Sequence, residues 1–229
     1  MVDVARTEVI ASNLASVQSR INGACLSASR DPSSITLIGV TKTYPVSDIK
    51  ILAGLGIKDF GENRDSEGRE KASQVEGRWH FQGQIQSNKL ASIASWADVV
   101  HSLDDMSHVP RLARAVGEGK KIGVFIQVSL DNSVGRGGLA PDSLAEMAQL
   151  ILTFPALLLQ GLMAVAPLGE NPDAAFSRLA VIHSVFSQQF PFASALSAGM
   201  SQDFESAISH GATHVRIGSS ILGSRSNPL

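Results

Sequence analysis

The chain has little sulfur and few rings. Cys25 is the one cysteine among 229 residues, which excludes an internal disulfide and a cysteine-rich zinc site and fits a reducing compartment. Aromatic residues make up 5%, and Tyr44 is the only tyrosine, so stacking platforms for single-stranded nucleic acid are scarce. Charge of one sign is also missing. The 19 Lys and Arg nearly balance 21 Asp and Glu, with no basic run, which argues against a nucleic acid or a membrane surface as partner. No apolar stretch approaches the roughly 20 residues that span a bilayer. Residues 156–165 are too few and include Gln160. The N-terminus carries Asp3 and Glu8 and has no apolar run of signal-peptide length, so a cytoplasmic protein is expected. Linkers, low-complexity tracts and internal repeats are absent too.

What is present is a foldable chain. With 44% hydrophobic and 17% charged residues it does not read as disordered. Its length allows one large domain or two small ones and a core that needs no staple. Val4, Ile10, Leu14, Val17, Ile21 and Leu26 recur at helical spacing, so residues 3–29 read as an amphipathic helix that Asp31-Pro32 ends. Short β-like runs follow at 35–41, 59–61, 79–83, 99–103, 123–130, 157–165, 193–197 and 214–218. Helical patterns fill 46–55, 63–75, 86–97, 106–118, 142–154, 172–190 and 202–210. Asn171-Pro172 is a helix start, and Gly211 a helix stop. Eight βα units need about 200 residues and form a (β/α)8 barrel of about 250. The eighth helix is nearly missing after Gly223, and the leading helix is expected to cover that gap. Residues 1–229 are therefore read as one domain, with 1–30 forming the extra helix. An open doubly wound sheet is the alternative, disfavoured because no Gly-x-Gly-x-x-Gly follows the first strand.

Parallel barrels carry their sites at the C-terminal ends of the strands. Lys42 follows an apolar strand, and burial of an amine favours its neutral, nucleophilic form. The other reading is a solvated lysine or one paired with Glu62. At the ends of strands seven and eight, Gly199, Ser201, Gly218, Ser219 and Ser220 offer amides and hydroxyls where barrels commonly hold phosphate. Ordinary turn and capping chemistry explains the same residues. Arg216 lies between Val215 and Ile217 and points to the opposite face from both, so it needs a ligand or a carboxylate such as Glu62. An amine, a phosphate cradle and a buried arginine facing one another suggest pyridoxal phosphate (PLP). Weaker candidates stay structural. His80 reads as a satisfied core histidine, and His101, His183, His210 and His214 lack metal-ligand spacing. Cys25 reads as a small buried hydrophobe. The loop Gly135-Arg136-Gly137-Gly138 is too short for a nucleotide fingerprint. No metal site is expected.

Several ordered motifs resemble the pyridoxal phosphate homeostasis protein family. They are Val40-Thr41-Lys42-Thr43, Phe60-Gly61-Glu62-Asn63, Trp79-His80-Phe81-Gln82-Gly83, Gln86-Ser87-Asn88-Lys89, Gly161-Leu162-Met163, Leu196-Ser197-Ala198-Gly199-Met200-Ser201 and Val215-Arg216-Ile217-Gly218-Ser219. The resemblance implies an α/β fold, a single TIM barrel of PLP fold type III similar to the barrel half of alanine racemase. It implies that Lys42 forms the internal aldimine and that Ser201, Gly218 and Ser219 hold the phosphate. Gly199 and Met200 would shape that loop, Asn63 would lie near the ring, and Ser197 joins the cofactor-binding set. Arg216 would face the pyridine nitrogen and keep it unprotonated, a weaker electron sink than a ring paired with Asp. Many relatives carry a basic residue at Tyr44 and a lysine at Arg136, which puts a secondary PLP-holding amine in doubt here. Tyr44 itself is a candidate proton donor on the Lys42 rim. The implied function is PLP homeostasis and cofactor supply to apo-enzymes by a monomer, without catalytic turnover. The alternatives are an amino-acid racemase, which needs acid/base groups on both faces of the substrate Cα and would lack its second domain here, and a Lys42 aldolase without PLP.

Overall fold

The computed structural model describes residues 4–131 and 136–223. Helix α1 spans Val4–Ser27, after which strands and helices alternate. In chain order these are β1 (Thr36–Val40), α2 (Val46–Gly54), β2 (Asp59–Glu62), α3 (Asp65–Ala72), β3 (Arg78–Phe81) and α4 (Leu90–Trp96). Next come β4 (Val99–Leu103), α5 (His108–Ala115), β5 (Ile122–Gln127), α6 (Leu144–Leu152), β6 (Leu157–Met163) and α7 (Pro172–Gln189). The described chain closes with β7 (Ala195–Ser197), α8 (Phe204–Ser209), β8 (His214–Ile217) and α9 (Ser219–Leu222). Each strand pairs with the next, all in parallel, and β8 pairs with β1 to close the barrel.

Closure buries the strands on both faces, which is why they read as apolar runs rather than strict alternations. Alternate residues nevertheless divide two cores. Val99, Phe125 and Met163 pack inside the barrel with Val165 and Ala195. The larger cluster lies between strands and helices. There Trp79 packs on Phe60 at 5.3 Å and on Trp96 at 6.5 Å between ring centres. Both indoles satisfy their N–H groups: Trp79 Nε1 donates to the Val75 carbonyl and Trp96 Nε1 to Asp65 Oδ1.

The start and stop signals act as their chemistry requires. Asp31 caps a short 3-10 turn at Pro32–Ser34 by accepting from the Ser33 amide. Asn171 accepts from the Asp173 amide at the start of α7. Gly211, at φ 96°, follows α8. Helix ends are shorter than the sequence patterns suggest. Arg64 is extended, so α3 begins at Asp65, and a 3-10 turn at Ser87–Lys89 precedes α4.

The eighth helix, α9, is a single turn, and α1 lies across it, α8 and α2. Ile10, Val17, Ile21 and Cys25 form its buried stripe. A helix end leaves carbonyls without intrahelical partners. Here Arg6 Nη2 donates to the Leu222 carbonyl at 2.8 Å and Asn13 Nδ2 to that of Ile221 at 3.0 Å. The leading helix thus covers the gap and caps the element that occupies it. Among the described residues no helix is long and apolar enough to cross a membrane, and no cluster of side chains suits a metal ion.

Candidate functional site

A cavity of about 730 Å³ opens at the C-terminal ends of the strands. That is within the usual range for small-molecule sites. Lys42, Asn63, Met200, Ser201, Arg216, Gly218 and Ser219 all line it. Two other expected site residues do not. Ser197 is fully buried beneath Arg216 and donates no surface to the cavity. Gly199 lies behind the loop at φ 90°, where an added Cβ would sit 2.7 Å from the Ala207 side chain. Ser201 occupies the turn ahead of α8 rather than a helix start, and its Oγ accepts from the Ser220 amide at 3.3 Å.

Lys42 stands in the turn after β1, and α3 holds the peptide groups on both sides of it. The Thr41 carbonyl accepts from Lys71 Nζ at 2.8 Å, and the Thr43 amide donates to Glu67 Oε2 at 2.7 Å. Lys71 and Glu67 are one helical turn apart and paired at 3.0 Å. Thr43 has φ 70°, a conformation that a β-branched residue keeps only under external constraint. Beneath this turn Glu62 is fully buried. Its Oε1 accepts from Lys71 at 2.7 Å and from Thr41 Oγ1 at 2.6 Å, while Oε2 has no partner among the described residues. Burial pushes the Glu62 carboxyl above its ordinary pKa, against the hydrogen bonds from Lys71 and Thr41. Burial also opposes ionisation of Glu67, but the bonds from Thr43 and Lys71 outweigh it and hold that carboxyl below its ordinary value. Glu62 therefore pairs with Lys71, not with Lys42 or Arg216 as its sequence position suggested.

Arg216 is buried, with Nη1 donating to Ser197 Oγ at 2.8 Å and Nη2 to the Ala164 carbonyl at 3.0 Å. Among the described residues no carboxylate lies within ion-pair distance of it. Burial lowers its pKa to about 10, so it stays a cation at neutral pH. Gly218 keeps the end of the cavity near α9 narrow. A Cβ there would fall 2.9 Å from the Val40 carbonyl oxygen, too close without moving β1. Gly218→Ala is expected to destabilise by about 1–3 kcal/mol through overpacking. Thermal unfolding checks this, and a variant as stable as the parent would show that the loop has room.

Tyr44 lines the same cavity, but its hydroxyl donates to the Gly223 carbonyl, so its proton is engaged in tying the rim to the end of α9. Arg136 is elsewhere. It pairs with Asp131 beside a separate cavity of about 190 Å³ and donates to the Ala166 carbonyl. Gly135 of that loop lies outside the described residues. Cys25 is buried, as its place on the α1 stripe implies. The sequence reading missed Lys71 and Glu67, although their i,i+4 spacing was visible. It placed Gln82 at a strand end in the mouth but gave it no role; the residue lines the cavity with a buried Nε2 that has no partner among the described residues.

These groups fit pyridoxal phosphate. An amine, a guanidinium, an unpaired amide donor and a hydroxyl-bearing loop held close by glycine converge on one cavity. The class this defines is a parallel barrel with a lysine at the end of β1 and a loop of serine and glycine at β7–β8 lining the mouth. Residues 10–226 match the family model described as alanine racemase, N-terminal domain. A pyridoxal phosphate homeostasis protein of Mycobacterium leprae is 38% identical, over 92% of this chain and 90% of the relative. That of Corynebacterium glutamicum is 40% identical, over 91% and 99%. The chain belongs to the pyridoxal phosphate homeostasis protein family. Among solved structures, PipY of Synechococcus elongatus with PLP bound superposes with a TM-score of 0.80 at 31% identity, covering 93% of this chain and all of PipY. An alanine racemase of Clostridium difficile gives 0.72 at 14% identity and shares the fold, with 58% of its length covered.

Proposed function

We propose that this chain binds pyridoxal 5′-phosphate in the barrel mouth, anchors it covalently through Lys42, and serves intracellular PLP supply without a turnover of its own. The observation that carries this reading is the convergence of Lys42, Arg216 and the Ser201, Gly218 and Ser219 loop on one cavity. The near-complete overlap with homeostasis relatives supports it. When bound, the group supplies an aldehyde that condenses with an amine and a pyridine ring that withdraws electrons.

The residues of the chain have distinct tasks. Lys42 Nζ provides the attachment point, held in place by the grip of α3 on Thr41 and Thr43. Ser201, Gly218 and Ser219 bind the phosphate through hydroxyls and amides. Arg216 only donates hydrogen bonds. Facing a pyridine nitrogen, an Arg216 N–H would donate a hydrogen bond and keep its proton, which would leave the ring a weak electron sink. Racemisation also needs a second acid/base group across the substrate Cα. Tyr44, the candidate proton donor, lies on the same rim as Lys42 and has its hydroxyl engaged by Gly223. In this reading the stored cofactor passes to apo-enzymes.

The test is spectroscopic. Purified protein is incubated with PLP, freed of unbound cofactor, scanned, reduced with borohydride and mapped by peptide mass. A retained chromophore fixed on the Lys42 peptide is expected, with no interconversion of single-enantiomer amino acids by chiral analysis. Protein that takes up no PLP would overturn the binding reading, and robust racemisation would overturn the carrier reading.

A further inference from the structure

The inside of the barrel holds a line of polar groups that cofactor attachment does not use. It starts at Arg216 in the mouth and ends at Asp59, the first residue of β2, on the barrel floor. Arg216 Nη1 meets Ser197 Oγ at 2.8 Å, and Ser197 Oγ meets His101 Nδ1 at 2.9 Å. His101 Nε2 meets His80 Nδ1 at 2.8 Å, and His80 Nε2 meets Asp59 Oδ1 at 2.9 Å. The serine and both imidazoles are buried, while the Asp59 side chain keeps 21% exposure. Phe125 stacks on His101 with ring centres 4.5 Å apart and shields the middle of the line from water.

The chemistry of the two ends sets the direction of every bond between them. A guanidinium has donors only, so Ser197 Oγ accepts from Arg216, and its own proton finds an acceptor in the line at His101 Nδ1. His101 then carries its proton on Nε2 and donates to His80 Nδ1. His80 in turn carries its proton on Nε2 and donates to Asp59. A carboxylate has acceptors only, so the bottom end demands the same order. Burial holds the pKa of His80 below its ordinary value and that of His101 well below, so both rings are neutral near pH 7, as the line requires. Reversal would give Ser197 two donors and leave its hydroxyl proton without its acceptor.

Asp203 of the cavity wall acts on Arg216 only through space. We infer that Asp59 is a positioning residue for Arg216, acting across the barrel through His80, His101 and Ser197 as the relayed counter-charge of a buried cation that, among the described residues, has no carboxylate within ion-pair distance. Its effect on bound cofactor rests on the PLP reading above; its effect on the two histidines does not. The line fixes which guanidinium N–H groups are occupied below and which remain for the cavity. A change on the floor is thereby felt at the ring of the cofactor.

The experiment has two arms. In cofactor-free protein, long-range ¹H–¹⁵N NMR reads the tautomers of His80 and His101. Wild type is expected to show both as Nε2–H. Asp59→Ala removes the final acceptor and is expected to give mixed or exchanging tautomers at both rings. Asp59→Asn, which keeps an acceptor oxygen, is expected to restore the wild-type pattern and remains informative if the alanine variant does not fold. In PLP-loaded protein, Asp59→Ala is expected to shift the absorption band and to weaken retention about tenfold, the scale of one hydrogen bond to a charged group. Unchanged tautomers together with an unchanged band in Asp59→Ala would overturn the inference. Changed tautomers in a protein that takes up no PLP would uphold the line and overturn the binding reading instead.

Discussion

Lys42→Ala protein is expected to carry no borohydride-fixed pyridoxyl group, whereas wild type carries one per chain on the Lys42 peptide. The loss should be complete because, among the described residues, no second lysine lines the cavity. Lys71 lies beneath the turn that carries Lys42, but its three donors are already engaged by the Thr41 carbonyl, Glu62 Oε1 and Glu67 Oε2. Freeing it would strand a buried carboxylate. The cavity keeps Arg216 and the Ser201, Gly218 and Ser219 loop, so weaker, reversible retention of PLP should survive. Lys42 is half-buried in a turn, and its truncation should change stability by no more than about 1 kcal/mol. Intact-mass measurement after borohydride, paired with thermal unfolding, checks both statements. A pyridoxyl group on another lysine would show that the anchor is misassigned.

Lys71→Met is expected to be the most destabilising single change near the site. Removing one member of a buried ion pair leaves an uncompensated charge, a loss of about 3–5 kcal/mol. Glu62 is fully buried, and its Oε2 has no partner to fall back on among the described residues. The pH dependence identifies the cause. Burial already raises the Glu62 pKa, and Lys71 opposes that rise, so losing Lys71 raises it further. A carboxyl whose folded pKa lies above its unfolded value binds more protons when folded. The penalty is therefore absent below the unfolded pKa, near 4.5, and grows as pH rises towards the folded pKa. The deficit relative to wild type should be largest at pH 7 and shrink towards pH 4.5. Urea unfolding at the two values measures it. Adding Glu62→Gln should recover part of the loss at pH 7. A deficit that ignores pH would assign the damage to packing alone.

The sequence exposed the skeleton of this protein better than its wiring. Eight short apolar runs separated by helical patterns were enough to count the barrel strands, and the shortness of the eighth helix pointed to α1 as its cover. Lys42 and Arg216 stood out because a charged residue at the end of, or within, an apolar strand requires an explanation. The pairing of Glu62 was not legible in the same way. Adjacent β2 residues face opposite sides of the strand, so Glu62 points towards α3 while Arg216 lies inside the barrel, and the two cannot meet. Period-two alternation contains that answer only once the register between strands is known. The His80–His101 contact depends on the same register. His80 was placed correctly as a satisfied core histidine, but its partner came from the adjacent strand, 21 residues away. Helix limits shifted because 3-10 and extended residues at their starts share the composition of the helices themselves.

The contacts of α1 with α9 join positions 216 and 208 residues apart. Closing loops of that size comes late when a chain folds, because the entropy is lost before the contacts repay it. Ser219, which lines the cavity, belongs to that late-closing element. A partly folded chain can therefore pair β1 with β2 while Ser219 is still out of place. On the PLP reading proposed above, only a barrel sealed by its leading helix would retain the cofactor, and retention would in turn stabilise the seal.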